Sequence, residues 1–374
     1  MRYLLDSFKM MDDDSKKKIK IFGIGAIVII LLIIIISIIF AIVNRRTSYE
    51  NMEQIMANAA YEYYQNNLSK LPNESIRTSV VDENTLVTEK FMKPIKKYTK
   101  DESCTGNVVV TYNNNDYDYQ AYLTCNDFVT TLFSDKLKKD NSIVTTGAGL
   151  YDENGILRFR GENVNNYIKF KDSFFRIIKI DNNNKIYIIP EDMDDNDDNL
   201  YVYWDDRYNS EEEMNCGIND YSISRIRDSL EKVYNELDKD LKSKTTTFTA
   251  CISNRSSNDI INTGDIECSK TIENSNISLL PIYEYIKASI APACQSTDSK
   301  ECKNYNYLYN EDYNWWTNTG DSTNTDRIYA ISYYGEIEKE RGNSKKMARY
   351  VLALKDNVLL EAGNGSKNNP YTIR

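Results

Sequence analysis

Residues Ile21 to Val43 form an uncharged, almost wholly apolar run of 23 residues. A helix of that length spans about 34 Å, enough to cross a bilayer. No second run of this kind occurs in the chain. The sequence therefore divides into a short tail (1–20), a predicted transmembrane helix (21–43) that uses the lipid bilayer as its partner, and a long polar remainder.

Lys16, Lys17, Lys18 and Lys20 precede the run, with Arg2 and Lys9 further back, and only Arg45 and Arg46 follow it closely. Basic residues flanking a span stay in the cytoplasm. The expected topology is an inside N-terminus and an extracellular C-terminal part. The apolar core is too long for a cleaved signal peptide and no small-x-small site follows at once, so the reading is an uncleaved signal-anchor. All seven cysteines lie after the run. Spaced cysteines beyond a cysteine-free tail suit an oxidising compartment. Residues 1–46 hold eight Lys or Arg against four Asp, so the net charge of −10 leaves −14 on the remainder. That surface repels phosphate backbones and argues against nucleic acid as a partner.

Beyond the span the expected class is α+β. Met52, Ile55, Met56, Ala59, Ala60 and Tyr63 recur at helical spacing, which predicts a helix over 49–67 capped by Ser48. A second amphipathic stretch, 86–98, is interrupted by Pro94. Val108 to Tyr112 and Tyr117 to Leu123 flank an Asn-rich turn and predict a β-hairpin. Cys104 and Cys125 sit at its open end, where pairing would close a loop and stabilise by roughly 3 kcal/mol. The expected organisation is a stalk domain over 44–134, a linker over 135–149 and a larger α+β domain over 150–374. In the latter, strands are expected over 157–159, 167–170, 174–180 and 185–189, helices over 222–241 and 281–290, and closing strands over 327–334, 348–354 and 358–360. Proximity predicts two more disulfides there, Cys251 with Cys268 and Cys294 with Cys302, leaving Cys216 unpaired, either buried or joined between chains.

The segment AAYEYYQNNLSKLP, between a membrane helix and a small sheet with a disulfide, resembles in outline the pilins and pseudopilins. The Gly-aromatic-Glu prepilin cleavage motif is absent from the apolar run. In the last third, NYLYNEDYNWWTNTGDSTNTDRIYAISYYGEI, MARYVLALK and GNGSKNNPYTI, with ENVNNYIKFKDSFFRIIKID upstream, are similar to a largely uncharacterised bacterial surface-domain family. Its layout resembles the formylglycine-generating-enzyme and C-type-lectin-like folds. Ser366 stands where the closing motif usually has Thr. This resemblance implies an extracellular, lectin-like binding or display domain. It carries no activity, and the catalytic cysteine pair of the formylglycine-generating enzymes has no counterpart motif here.

The chain contains no histidine. Ser-His-Asp and Cys-His nucleophile systems cannot be built, and His-ligated zinc or haem is excluded. Asp194, Asn196, Asp198 and Asp205 fall at the first, third, fifth and twelfth positions of a calcium loop, but Asn199 occupies the position that needs Gly and Asp205 replaces the usual Glu. A solvated acidic loop is the competing reading, so calcium is the one cofactor the sequence offers, and no other is expected. Trp204, Trp315, Trp316 and the 29 tyrosines could stack on a sugar or fill a partner's pocket, or could be core; in a strand, one of the adjacent tryptophans would point outward. Three functions follow as expectations: non-catalytic recognition of a glycan or surface protein; a pilin-like structural role with self-association; or an envelope hydrolase with two carboxylates roughly 5–9 Å apart.

Overall fold

The computed structural model describes residues 46–113, 116–193, 200–259 and 264–374. Among these no helix is long and apolar enough to cross a membrane. The run 21–43 lies outside the described residues, as do Asp194, Asn196 and Asp198. The chain divides into two compact units, up to Thr130 and from Thr131 onward.

The first unit is one helix on a three-stranded antiparallel sheet. Helix α1 (Tyr49–Asn66) starts where the Ser48 hydroxyl accepts a hydrogen bond from the Asn51 amide at 3.2 Å. It buries Met52, Met56, Ala59, Ala60 and Tyr63, the stripe expected of one apolar face. β1 (Thr78–Asp82) follows, a strand the sequence reading lacked. Next come two short helices on either side of Pro94, α2 (Glu83–Thr88) and α3 (Ile95–Thr99). β2 (Thr105–Asn113) and β3 (Asp116–Thr124) complete the order β1-β2-β3. A side chain at Gly106 would begin 2.4 Å from the Met56 methyl, so glycine there lets α1 lie against β2. Thr105 pairs with Thr124 in register, and the Cys104–Cys125 disulfide ties the strand ends just beyond them.

The second unit begins with a correction. Residues 135–149 are not a free linker: α4 (Phe133–Asp140) runs through the start of this stretch and buries Phe133 and Leu137 in the unit's core, with Phe133 edge-on to Tyr371. Spacing hid this because only two apolar residues anchor a short, charged helix. The main sheet follows: β4 (Gly149–Glu153), β5 (Ile156–Arg160), β6 (Tyr167–Phe170), β7 (Ser173–Ile180) and β8 (Ile186–Pro190). After β9 (Tyr201–Tyr203) and the ribbon of β10 (Tyr208–Asn209) and β11 (Met214–Asn215) come α5 (Arg225–Glu236) and α6 (Lys239–Lys244). They are two helices because Asp238 caps a fresh start. β12 (Thr245–Thr246), the ribbon β13 (Phe248–Cys251) with β14 (Thr271–Ser275), and β15 (Ser278–Leu279) lead to α7 (Ile282–Ala288). The remaining strands are β16 (Trp315–Gly320), β17 (Arg327–Ile331), β18 (Ile337–Arg341), β19 (Lys345–Met347), β20 (Tyr350–Leu354), and the closing ribbon β21 (Leu360–Ala362) with β22 (Thr372–Ile373).

The strands form two larger sheets, ordered β12-β20-β8-β7-β5-β4 with β15 and β6 joining β20 and β7, and β18-β17-β16-β19-β9. Helix α7 touches β5 of the first sheet and β16 of the second, and buries Ile282, Tyr283, Glu284, Tyr285, Ile286 and Ala288. A helix covered on every side acts as a core element. The class is α+β, as expected.

Candidate functional site

The three tryptophans do not form the site. Trp204, Trp315 and Trp316 are all fully buried. Every residue of β16 is buried, because strands flank both its edges and α7 and other elements cover its faces. The expected outward-pointing partner of the Trp pair is thus corrected: alternation exposes a side chain only when one face of the strand is open. The Trp204 indole N–H donates to the Thr317 carbonyl at 3.0 Å and the Trp316 indole N–H to the Val202 carbonyl at 3.2 Å.

Asp205 is likewise not an open calcium ligand. It is fully buried, and its carboxylate accepts from the Arg207 backbone N–H at 3.1 Å and from the Arg207 Nε at 2.9 Å. Gly217 and Gly342 pack so closely on its backbone that a Cβ would begin 2.4 and 2.6 Å from the Asp205 carbonyl oxygen. The other three residues of that motif lie outside the described residues. Among the described residues, Asp101, Cys104 and Cys125 bring donor atoms of metal-ligand type together. There the sulfurs are joined as a disulfide, and the Asp101 carboxylate accepts from the Ser103 hydroxyl at 2.6 Å, so the group lacks the thiolates a metal would need.

All six predicted disulfide cysteines are paired, Cys104–Cys125, Cys251–Cys268 and Cys294–Cys302, and Cys216 is free and buried. Burial pushes its thiol pKa up, which keeps it protonated and unreactive.

Among the described residues of the second unit, two cavities bear on function. The first, about 500 Å³, has Arg158 at its heart. Arg158 on β5 meets Glu284 on α7 through two hydrogen bonds, at 2.8 and 3.1 Å, and Glu153 on β4 at 2.7 Å. Lys179 reaches Glu284 at 2.6 Å, and Lys287 and the Tyr283 hydroxyl meet Glu153 at 3.1 and 3.2 Å. Burial alone would raise the Glu284 pKa, but Arg158 and Lys179 outweigh it and hold the carboxyl well below the usual range. A glycosidase needs a carboxyl with a raised pKa as its acid; Glu284 is tuned the other way. Glu153 and Glu284 are engaged in holding β4, β5, β7 and α7 together. Glu267 also lines the cavity; burial raises its pKa, and its carboxylate is held by the Arg255 guanidinium at 2.7 and 2.8 Å.

The second cavity, about 760 Å³, is polar and rimmed by tyrosine. Tyr305, Tyr309 and Tyr334 line it and are 59, 38 and 58 % exposed, while Tyr307 in the same loop is 4 % exposed. Tyr333 packs on Tyr334 with ring centres 4.1 Å apart. The loop 303–309 is clamped by Asn306, whose amide donates to the carbonyls of Tyr285 and Cys302 at 2.9 and 2.7 Å. It is anchored just upstream by the Cys294–Cys302 disulfide. Tyr305 adopts a left-handed φ of +50°, uncommon for a residue with a side chain. The opposite rim is the turn 332–336. Gly335, at φ +72°, accepts the Tyr285 hydroxyl on its carbonyl at 2.7 Å, and a Cβ there would begin 2.7 Å from the Tyr309 ring. Only glycine lets the two rims approach.

Arg176 on β7 lies in the lining, 3 % exposed. Its Nε donates to Asn166 at 2.7 Å and Nη1 to Glu191 at 3.2 Å, with its guanidinium centre 3.9 Å from the Tyr167 ring centre and 5.0 Å from that of Tyr307. Among the described residues, neither Arg176 Nη2 nor the Tyr307 hydroxyl has a hydrogen-bond partner. The sequence offers its 29 tyrosines together with the tryptophans as stacking candidates but singles out none of these. The available signal was the Tyr305-x-Tyr307-x-Tyr309 spacing beside a Cys pair, with Tyr333-Tyr334-Gly335 further on.

No family model, characterised protein or solved structure matches the chain.

Proposed function

We propose that this chain is a single-pass surface protein, N-terminus inside, that recognises a ligand non-catalytically in the tyrosine-rimmed groove of its C-terminal, lectin-like domain. In this reading residues 21–43 anchor the chain in the bilayer, and the helix-on-sheet first unit is the pilin-like stalk. Three disulfides are consistent with an extracellular domain. The observation that carries the reading is the set of exposed tyrosine rings around a polar cavity. Tyrosine offers a large contact face at low entropy cost with a hydroxyl to orient the ligand, and exposed aromatics gathered at a cavity favour binding.

The test uses the full chain on an array of glycans and surface proteins. Binding to a member of the array is expected. Tyr309→Ala or Tyr334→Ala should weaken it at least ten-fold without altering the fold, since both rings are largely outside the core. Silence across the array, or binding indifferent to both substitutions, overturns the reading.

A further inference from the structure

We infer that the groove receives a sugar carrying a single carboxylate, with Arg176 and Tyr307 as the floor that takes the acid group. The inference deepens the recognition reading and rests on it.

Two donors of the cavity lining, Arg176 Nη2 and Tyr307 OH, lack a hydrogen-bond partner among the described residues, as does Trp315 Nε1 behind them, and Arg349 Nη2 has only the Glu191 carboxylate at 3.6 Å. Their residues are neighbours. The Arg349 guanidinium lies 5.3 Å from the Trp315 ring centre, its Nη1 donates to the Leu308 carbonyl at 2.7 Å, and the Arg176 guanidinium is 5.0 Å from Tyr307. Buried donors are almost always satisfied, so a cluster of orphans needs a physical account. Charge points the same way. Arg176 and Arg349 are both buried, and they share one carboxylate, Glu191, at 3.2 and 3.6 Å. Glu191 also accepts the Tyr167 hydroxyl at 3.2 Å. The lining's other charges, Glu162 and Lys303, are of opposite sign and lie toward solvent, so the buried part holds two guanidiniums against one carboxylate, an excess that is unfavourable unless an anion completes it.

Arg176 and Tyr307 are lining residues of the cavity, and their unpartnered atoms lie just beneath its surface. A carboxylate suits the fork of a guanidinium. Around this floor, Tyr305, Tyr309 and Tyr334 offer flat faces for a sugar ring, and Asn163 offers an amide for its hydroxyls. The volume, about 760 Å³, is in the range that holds a sugar or two. The net charge of −10 repels a polyanion, which selects for one isolated carboxylate at the end of an otherwise neutral glycan.

The probes are a glucuronosyl-glucose disaccharide and its methyl ester, which differ only in the charge of the acid group, titrated into the full chain by calorimetry. The acid should bind at least ten-fold tighter than the ester. Tyr307→Phe removes only an unpartnered hydroxyl, so it should leave the unfolding midpoint unchanged or raised and yet weaken acid binding at least five-fold. Arg176→Gln should do the same more severely; if it fails to fold, Tyr307→Phe carries the test. Equal affinity for acid and ester overturns the carboxylate inference while recognition stands. So does binding of other glycans on the array with neither probe bound. A preference for acid that Tyr307→Phe leaves untouched overturns the assignment of the floor. Silence on the array as well as in the titration overturns both readings.

Discussion

Glu284 shows how much a single buried residue can decide. It is 3 % exposed, yet it is charged, because Arg158 and Lys179 both reach it. Removing one partner of such a network strands the others in a low-dielectric place, a loss of several kcal/mol. Glu284→Gln should lower stability at neutral pH by about 3 kcal/mol, measured by urea unfolding. The pH dependence has a defined sign. The folded-state pKa is depressed, so the stabilisation is complete above the free carboxyl pKa of about 4.3 and is lost as pH falls through that value toward the folded pKa. The native chain should therefore lose stability more steeply below about pH 4.3 than Glu284→Gln does; parallel acid limbs would exclude this account. Nothing in the sequence marks Glu284 among 56 acidic residues. Its partners come from β5 and β7, more than a hundred positions away. The acidic motif was misleading for the same reason: Asp205 is buried beneath a partly exposed Arg207 that engages its carboxylate, and burial is not written in spacing.

Among the elements, β16 departs most from what its sequence suggests. Its Trp-Trp-Thr-Asn-Thr-Gly run reads as a strand, and it is one. The register to β17 shifts between Trp316 and Gly320, and both faces are covered, so alternation no longer sorts inside from outside. Trp316→Ala should cost about 4 kcal/mol, the range for emptying a large core site. A stacking role at the surface would leave stability within about 0.5 kcal/mol, and denaturant unfolding separates the two. The N-terminal helix, by contrast, was legible nearly to its ends. A Ser cap, an apolar stripe and a polar opposite face all point to one answer, and the observed bounds are Tyr49–Asn66. The hairpin was legible for similar reasons. β1 was not: its burial alternates, with Ser79 and Val81 inward, but Thr-Ser-Val-Val-Asp carries no matching alternation of apolar and polar residues. The tyrosine rims are loop and turn, held by Asn306 and Gly335 rather than by any period, so pattern reading had nothing to count.

At the scale of the whole molecule, the cysteines tie the chemistry to a compartment. Six are paired within their own units and one is buried. A chain unfolded without reductant should react with one equivalent of thiol reagent, and with seven after reduction, since it holds seven Cys. The same single thiol is expected from protein blocked in fresh cells. Seven reactive thiols there would place the C-terminal part in a reducing compartment and remove the surface-display reading. Chain order alone identified the three pairs, because each joins neighbours in sequence, separated by 21, 17 and 8 positions. What the sequence determined by itself is local: the α+β class, the capped helix, the hairpin, the short disulfide loops and the exclusion of histidine chemistry. What only the tertiary structure decided is burial and long-range pairing. It sent the tryptophans inward, turned Arg158 and Glu284 into a buried hub, and gathered Arg176, Tyr307 and the exposed tyrosines at one groove. Those outcomes depend on which faces other segments cover, and a linear pattern records only the neighbours a residue has along the chain.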